Sequence, residues 1–121
     1  MDRSVQASEL PAFIQQKLAE VTTHIAWHAD LTGSEAEALL RDMKDMTYVL
    51  RQGEKFDHFY LTYVKEATNF VHIPFKIDAA TQQWFYRNYW NHFADSLKVF
   101  IPEIMHQEEA ACFPLPAFAS V

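Results

Sequence analysis

A chain of 121 residues, half of them apolar, is long enough for one domain around a single core and too hydrophobic for a disordered segment. Its formal net charge of −6 argues against nucleic acid as a general partner, since phosphate backbones select basic surfaces. That balance still leaves room for one small basic pocket, because a local site is decided by a few residues within a Debye length. No apolar run approaches the length a membrane span needs, so no membrane association is expected. The N-terminus, with Asp2 and Glu9, lacks the basic-then-apolar layout of a signal peptide. The lone cysteine, Cys112, has no internal partner for a disulfide, which fits a reducing compartment.

No repeat, linker or low-complexity stretch interrupts the chain. Ser8 as N-cap, Pro11 in the first turn, and Phe13, Ile14, Leu18, Val21 and Ile25 at helical spacing predict a first helix. Thr32 and Glu35 form a T-x-x-E capping box for a second helix, whose apolar stripe is Ala36, Leu39, Leu40 and Met43. The pattern then changes. Residues 47–51 are short and β-prone, 52–57 form a polar turn around Gly53, 58–64 make a second strand, 65–69 a turn, and 70–75 a third strand. Trp84, Phe85 and Tyr86 predict a further short strand. Asp95 is the expected cap of a last helix carrying Leu97, Val99, Phe100, Ile101 and Ile104, with Pro102 predicting a kink or break inside it. Residues 111–115 close the chain as a strand. The order predicts an α+β domain: a central antiparallel sheet flanked by two helices, with an extra N-terminal helix. Helices on both faces account for Tyr48-Val49-Leu50 being apolar throughout rather than alternating.

Several of these segments carry a family signature. Trp27, Leu31-Thr32, Glu35-Ala36-Glu37-Ala38-Leu39-Leu40, Tyr48-Val49-Leu50-Arg51, Phe59-Tyr60-Leu61-Thr62 and His72, in that order, resemble a Src-homology-2 (SH2) domain. That family opens with a Trp and a helix bearing an A-E-x-L-L-like segment. An F-L-V-R-like strand, a Y-x-L-S-like strand and a strand with a His follow. The match runs over 27–115, so 27–121 is read as the SH2-like domain and 1–26 as an N-terminal helical extension. The resemblance implies a non-catalytic adaptor module, monomeric and cytoplasmic, that binds tyrosine-phosphorylated peptides or proteins without a cofactor or metal. It implies a phosphotyrosine site made of Arg51, Gly53, Glu54, Lys55, Tyr60, Thr62 and His72, and peptide contacts from Ile73, Trp84 and Tyr86.

The residues support this on physical grounds. A phosphotyrosine carries about −1.5 to −2 charges at neutral pH and three acceptor oxygens. A guanidinium on a rigid strand meets two of those oxygens with paired, charge-assisted hydrogen bonds. Arg51 ends an apolar strand, where an unpaired charge is costly, and the turn after it offers backbone N–H groups to an anion. Each residue also has a blander reading, and for Arg51 it is a surface strand arginine paired to Asp57. His72 is either a ligand contact or a histidine bonded inside the sheet. Lys55 is either a phosphate clamp or a solvated loop lysine. Tyr60 either lines the peptide path or packs under the sheet. Trp84, Phe85, Tyr86, Tyr89 and Trp90 either wall the site or fill core. His24 and His28 are only two potential metal ligands, and Cys112 has no oriented base in sequence to activate it.

The chain also departs from the family pattern. Gly33 stands where a basic residue is common at the start of the first family helix, Gly53 where a Ser or Thr often follows the arginine, and Pro74 where a Lys often follows the histidine. Such a sparse pocket resembles the divergent SH2 domains of intracellular bacterial effectors, which would put the protein in a host cytosol. It also keeps open a rival function: a degenerate SH2 fold that binds partners independently of phosphate.

Overall fold

The computed structural model describes residues 10–66 and 69–117; Ser8 and part of the expected 65–69 turn lie outside these. Helix α1 spans Ala12–Thr22 and is entered through Pro11, whose missing N–H has no intrahelical partner to lose at that position. Ile25 lies beyond its end and is exposed. Helix α2, Gly33–Leu40, starts at the expected capping box. The Glu35 N–H donates to Thr32 Oγ1 at 3.1 Å, and the Thr32 N–H donates to Glu35 Oε1 at 2.9 Å. It buries Ala36 and Leu40, and Met43 falls past its end, exposed.

Six strands follow: β1 (Thr47–Gln52), β2 (His58–Lys65), β3 (Asn69–Asp78), β4 (Gln83–Asn88), β5 (Trp90–Ala94) and β6 (Phe113–Pro114). They form one sheet in the order β5-β4-β3-β2-β1-β6. All pairings are antiparallel except β6, which lies parallel to β1. The expected meander is β1 to β3, and the Trp84 strand is longer than its three-residue core suggested. Strand β5 was not expected; it folds back on β4 through Tyr89, a non-glycine residue held at φ 62°.

Helix α3 spans Leu97–Met105. Ser96, not Asp95, caps it, with Ser96 Oγ accepting from the Val99 N–H at 3.4 Å. Pro102 does not break it. The bond Pro102 cannot make would go to the Lys98 carbonyl, on the exposed side, and the helix ends only at His106, in the left-handed conformation.

The alternation of strand side chains divides the core in two. On the α2 face, Val49 and Val64 pack with Ala36 and Leu40. On the α3 face, Tyr48, Leu50, Phe59, Leu61, Phe75, Ile77, Trp84 and Tyr86 pack with Leu97, Phe100, Ile101 and Ile104. Tyr48-Val49-Leu50 is apolar throughout for the reason expected: both sides of β1 are covered. Helix α1 belongs to the larger core. Val21 is fully buried, Phe13, Ile14 and Leu18 pack against it, and the Glu20 carboxylate ties three elements together. It accepts from Trp84 Nε1 at 2.8 Å and from the Leu97 N–H at 2.5 Å.

Glu20→Ala removes two charge-assisted bonds and leaves an indole N–H and a helix-start N–H without their acceptor. Loss of about 2–3 kcal/mol of unfolding free energy is expected, read from the urea midpoint at unchanged slope. A midpoint equal to wild type would show that water replaces the carboxylate at no penalty.

Candidate functional site

Arg51 lies two residues after Val49 and therefore on the α2 face of β1. It is buried, 8% exposed. Its Nε donates to Thr62 Oγ1 at 3.1 Å, and its Nη2 to His72 Nδ1 at 3.1 Å. The cross-strand register explains the reach: Arg51 sits opposite Tyr60, and Thr62, one pleat further on β2, sits opposite His72 on β3. The Tyr60 ring lies against the guanidinium, 4.5 Å from its centroid to Cζ. Burial lowers the Arg51 pKa, and Tyr60 and Glu37 act against that shift. The guanidinium stays charged at neutral pH.

The bonding pattern fixes the protonation of the ring. Arginine only donates, so Nδ1 of His72 is an acceptor. The Thr62 hydroxyl, which receives Arg51 Nε–H, stands 2.9 Å from the same Nδ1. The histidine proton is therefore on Nε2, which donates to Glu37 Oε2 at 2.6 Å. Glu37 comes from α2, and the N-terminus of that helix closes over the arginine. A Cβ at Gly33 would stand 3.4 Å from Arg51 Nη2 and 3.7 Å from His72 Cε1. Of the five N–H donors of a guanidinium, one goes to Thr62 and one to His72, which leaves three unassigned among the described residues.

The turn after Arg51 is organised by Gln52. Its Nε2 donates to the carbonyls of Lys55 at 2.8 Å and His58 at 3.0 Å, with Phe56 at the 3.5 Å limit. Those carbonyls would repel an anion, and the amide takes them up. Gly53 donates its N–H to the His58 carbonyl at 2.8 Å, and a Cβ there would meet that same oxygen at 2.7 Å. Close backbone approach, not a positive φ, demands glycine.

Arg51, Tyr60, Thr62 and His72 are thus brought together. Gly53, Glu54 and Lys55 stand in the adjoining turn, with Glu54 and Lys55 exposed and no ion pair to Lys55 among the described residues. Ile73 follows His72 but faces the opposite side, half-buried against the larger core. Trp84 and Tyr86 are 0% and 2% exposed and offer no surface to a peptide; the core reading is the one the structure gives them. Tyr86 donates its hydroxyl to the Glu103 carbonyl at 3.3 Å. The exposed members of the aromatic cluster are Tyr89 and Trp90, at the tip between β4 and β5. Pro74 faces Tyr60 across β3 and β2 and is exposed.

Glu37 and Gln52 carry site roles that the sequence reading did not assign. Glu37 was in view inside the A-E-x-L-L-like segment, where its spacing from Ala36 and Leu40 marks a solvated helix face. Nothing in sequence says that it reaches His72 across 35 positions. His24 accepts from the Ala26 N–H and His28 Nε2 pairs with the Leu115 carbonyl, so the two serve the backbone. Burial pushes the Cys112 thiol above its ordinary pKa, away from a reactive thiolate.

No protein-family model matches the sequence, and no curated protein matches it. Among solved structures, the chain is similar to the SH2 domain of a CRK/CRKL homolog from Monosiga brevicollis, determined by solution NMR. The TM-score is 0.58 at 18% identity, over 71% of this chain and 78% of that one. At that identity the likeness is one of fold: the chain has an SH2-like fold. No helix among the described residues is long and apolar enough to cross a membrane.

Gly53→Ala tests the turn. The added methyl must displace the His58 carbonyl that Gly53 itself bonds. A loss of about 1–3 kcal/mol in stability is expected, as for overpacking elsewhere. An unchanged thermal midpoint would show that the turn opens freely.

Proposed function

We propose that the protein is a phosphotyrosine-peptide-binding adaptor module whose affinity comes from docking the phosphate on Arg51. One observation carries this: a buried strand guanidinium, fixed by Thr62 and His72, with three N–H donors left over among the described residues. Two parallel donors match two phosphate oxygens, and a preset guanidinium loses little side-chain freedom on binding. Tyr60, already stacked on Arg51, is a wall for the incoming tyrosine ring. The turn supplies the backbone N–H of Glu54, the Gly53 N–H being held by the His58 carbonyl, with the Lys55 ammonium approaching from solvent. Ile73, on the far side of β3, is the apolar contact for the residues that follow. The SH2-like fold supports the same reading, since the solved neighbour is itself named as an SH2 domain.

The reading assigns no catalysis, cofactor or nucleic acid to the protein. It places a single chain in the cytosol, where tyrosine-phosphorylated partners are found. The likeness to bacterial effectors, and with it a host cytosol, rests on the uncharged Gly33 and Pro74. A second reading, a scaffold indifferent to phosphate, draws on the same two residues and on Tyr89 and Trp90, which are 89% and 75% exposed.

A titration with one peptide, phosphorylated and not, separates the two. The phosphorylated form is expected to bind and the other not, and Arg51→Leu is expected to abolish binding. Loss of a buried charge contact is worth about 2–5 kcal/mol. The variant should keep its circular dichroism spectrum, because Thr62 and His72 still bond each other at 2.9 Å. Equal affinity for the two peptides would establish the scaffold reading.

Lys55→Ala measures what the turn adds. Roughly tenfold weaker phosphopeptide binding, about 1.4 kcal/mol, is expected. Unchanged affinity would mean that the turn acts through its backbone alone.

A further inference from the structure

The carboxylate of Glu37 stands inside the pocket that the phosphotyrosine reading assigns to a dianion, and it has the ligand's sign. We propose that Glu37 is an internal competitor of the phosphate. It must leave His72, or share the pocket at a penalty, each time the ligand binds. The inference rests on that reading of the Arg51 site and adds its regulation.

Two effects of the same sign follow from the geometry. The first is a donor withheld. His72 has one N–H, on Nε2, because Nδ1 accepts from Arg51. At 2.6 Å Glu37 takes that N–H entirely, so the ring offers a ligand nothing while the contact lasts. The second is charge. One imidazole separates the Glu37 carboxylate from the Arg51 guanidinium, well inside a Debye length. The Glu37 charge offsets part of the Arg51 charge before a ligand arrives. A phosphate on Arg51 gains one cation and meets one like charge.

Lys55, on the exposed turn, is the cation among the described residues left to offset this. Gly33 and Pro74 carry no charge, and Glu35, the other acid at the head of α2, is held by the capping box. Glu37 is not forced inward by packing. Its side chain is 42% exposed, so it can swing to solvent without opening the core. The contact is a latch on a preformed site rather than part of the fold. A purely positioning role predicts the reverse: if Glu37 serves to hold His72, and through it Arg51, then weakening the contact weakens ligand binding.

Glu37→Gln separates these, since it keeps the shape and an acceptor for Nε2–H while removing the charge. Calorimetric titration of wild type, E37Q and E37Q/R51L with one phosphotyrosine peptide gives the test. E37Q is expected to bind about tenfold tighter, roughly 1.4 kcal/mol, with the gain lost in the double variant. Binding by E37Q where wild type shows none supports the latch in its strongest form. Equal or weaker binding by E37Q, beside Arg51-dependent binding by wild type, overturns the competitor and leaves the phosphotyrosine reading standing. A gain that survives in E37Q/R51L also overturns it, as an effect of net charge alone. No binding by wild type or E37Q overturns both.

Discussion

A guanidinium in the middle of a sheet face is tolerated only where acceptors meet it, since an uncompensated buried charge costs several kcal/mol. Arg51 finds its acceptors on the next two strands, Thr62 on β2 and His72 on β3, which face each other in the ladder. The site therefore depends on register. A slip of one residue in β1 would turn Arg51 into the α3-face core and bring Leu50 out to the α2 side. What holds the register is hydrophobic: Tyr48 and Leu50 belong to the large core and Val49 to the small one. The pocket is thus a consequence of how two cores share one strand.

Those cores are unequal, and the inequality makes room for polar chemistry. α2 has eight residues, about 12 Å of helix, and buries only Ala36 and Leu40. It covers β1 and β2 at Val49 and Val64, and its N-terminus ends over Arg51. On the other face, α1 and α3 together close a continuous aromatic layer in which Trp84 lies 5.7 Å from Phe59 and 5.6 Å from Phe75. Rigidity comes from that side, so the α2 side can leave a charge, a histidine and a carboxylate in contact with one another and with solvent.

Much of this was legible because its signals are local. The capping box at Thr32, the β-prone run ending at Arg51 and the strand containing His72 each read from a few adjacent residues, and their order carried the SH2 likeness. What escaped depends on distant partners or on local rules being overridden. β5 lies beyond a turn whose tip is Tyr89, a residue with no preference for the left-handed conformation, so no hairpin signal marks it. Ser96 rather than Asp95 caps α3; the Asp95 side chain instead accepts from Gln83 at 3.0 Å. α1 reads as amphipathic, but its role in the core rests on Glu20 meeting Trp84 across 64 positions. Trp84 and Tyr86 looked equally suited to surface and interior, and only the alternation of β4 against α3 sends both inward.

The departures from the family pattern have structural counterparts. β3 pairs with β4 only over Lys76, Ile77 and Asp78, so the stretch before it, including Pro74, has β2 as its one neighbour. Proline has no N–H and fits where one side of a strand lacks a partner. Pro74 marks where that ladder stops, on the stretch of β3 that lies beside the pocket. Gly33 lies close by: a Cβ there would stand 3.4 Å from Arg51 Nη2 and 3.7 Å from His72 Cε1, so the start of α2 sits over both. Neither residue brings a side-chain cation to the site, and Gly33 lets the start of α2 lie over it. The charge balance around Arg51 is then sensitive to a neighbouring acid. That acid is already in place on α2, bonded to the ring that holds the guanidinium.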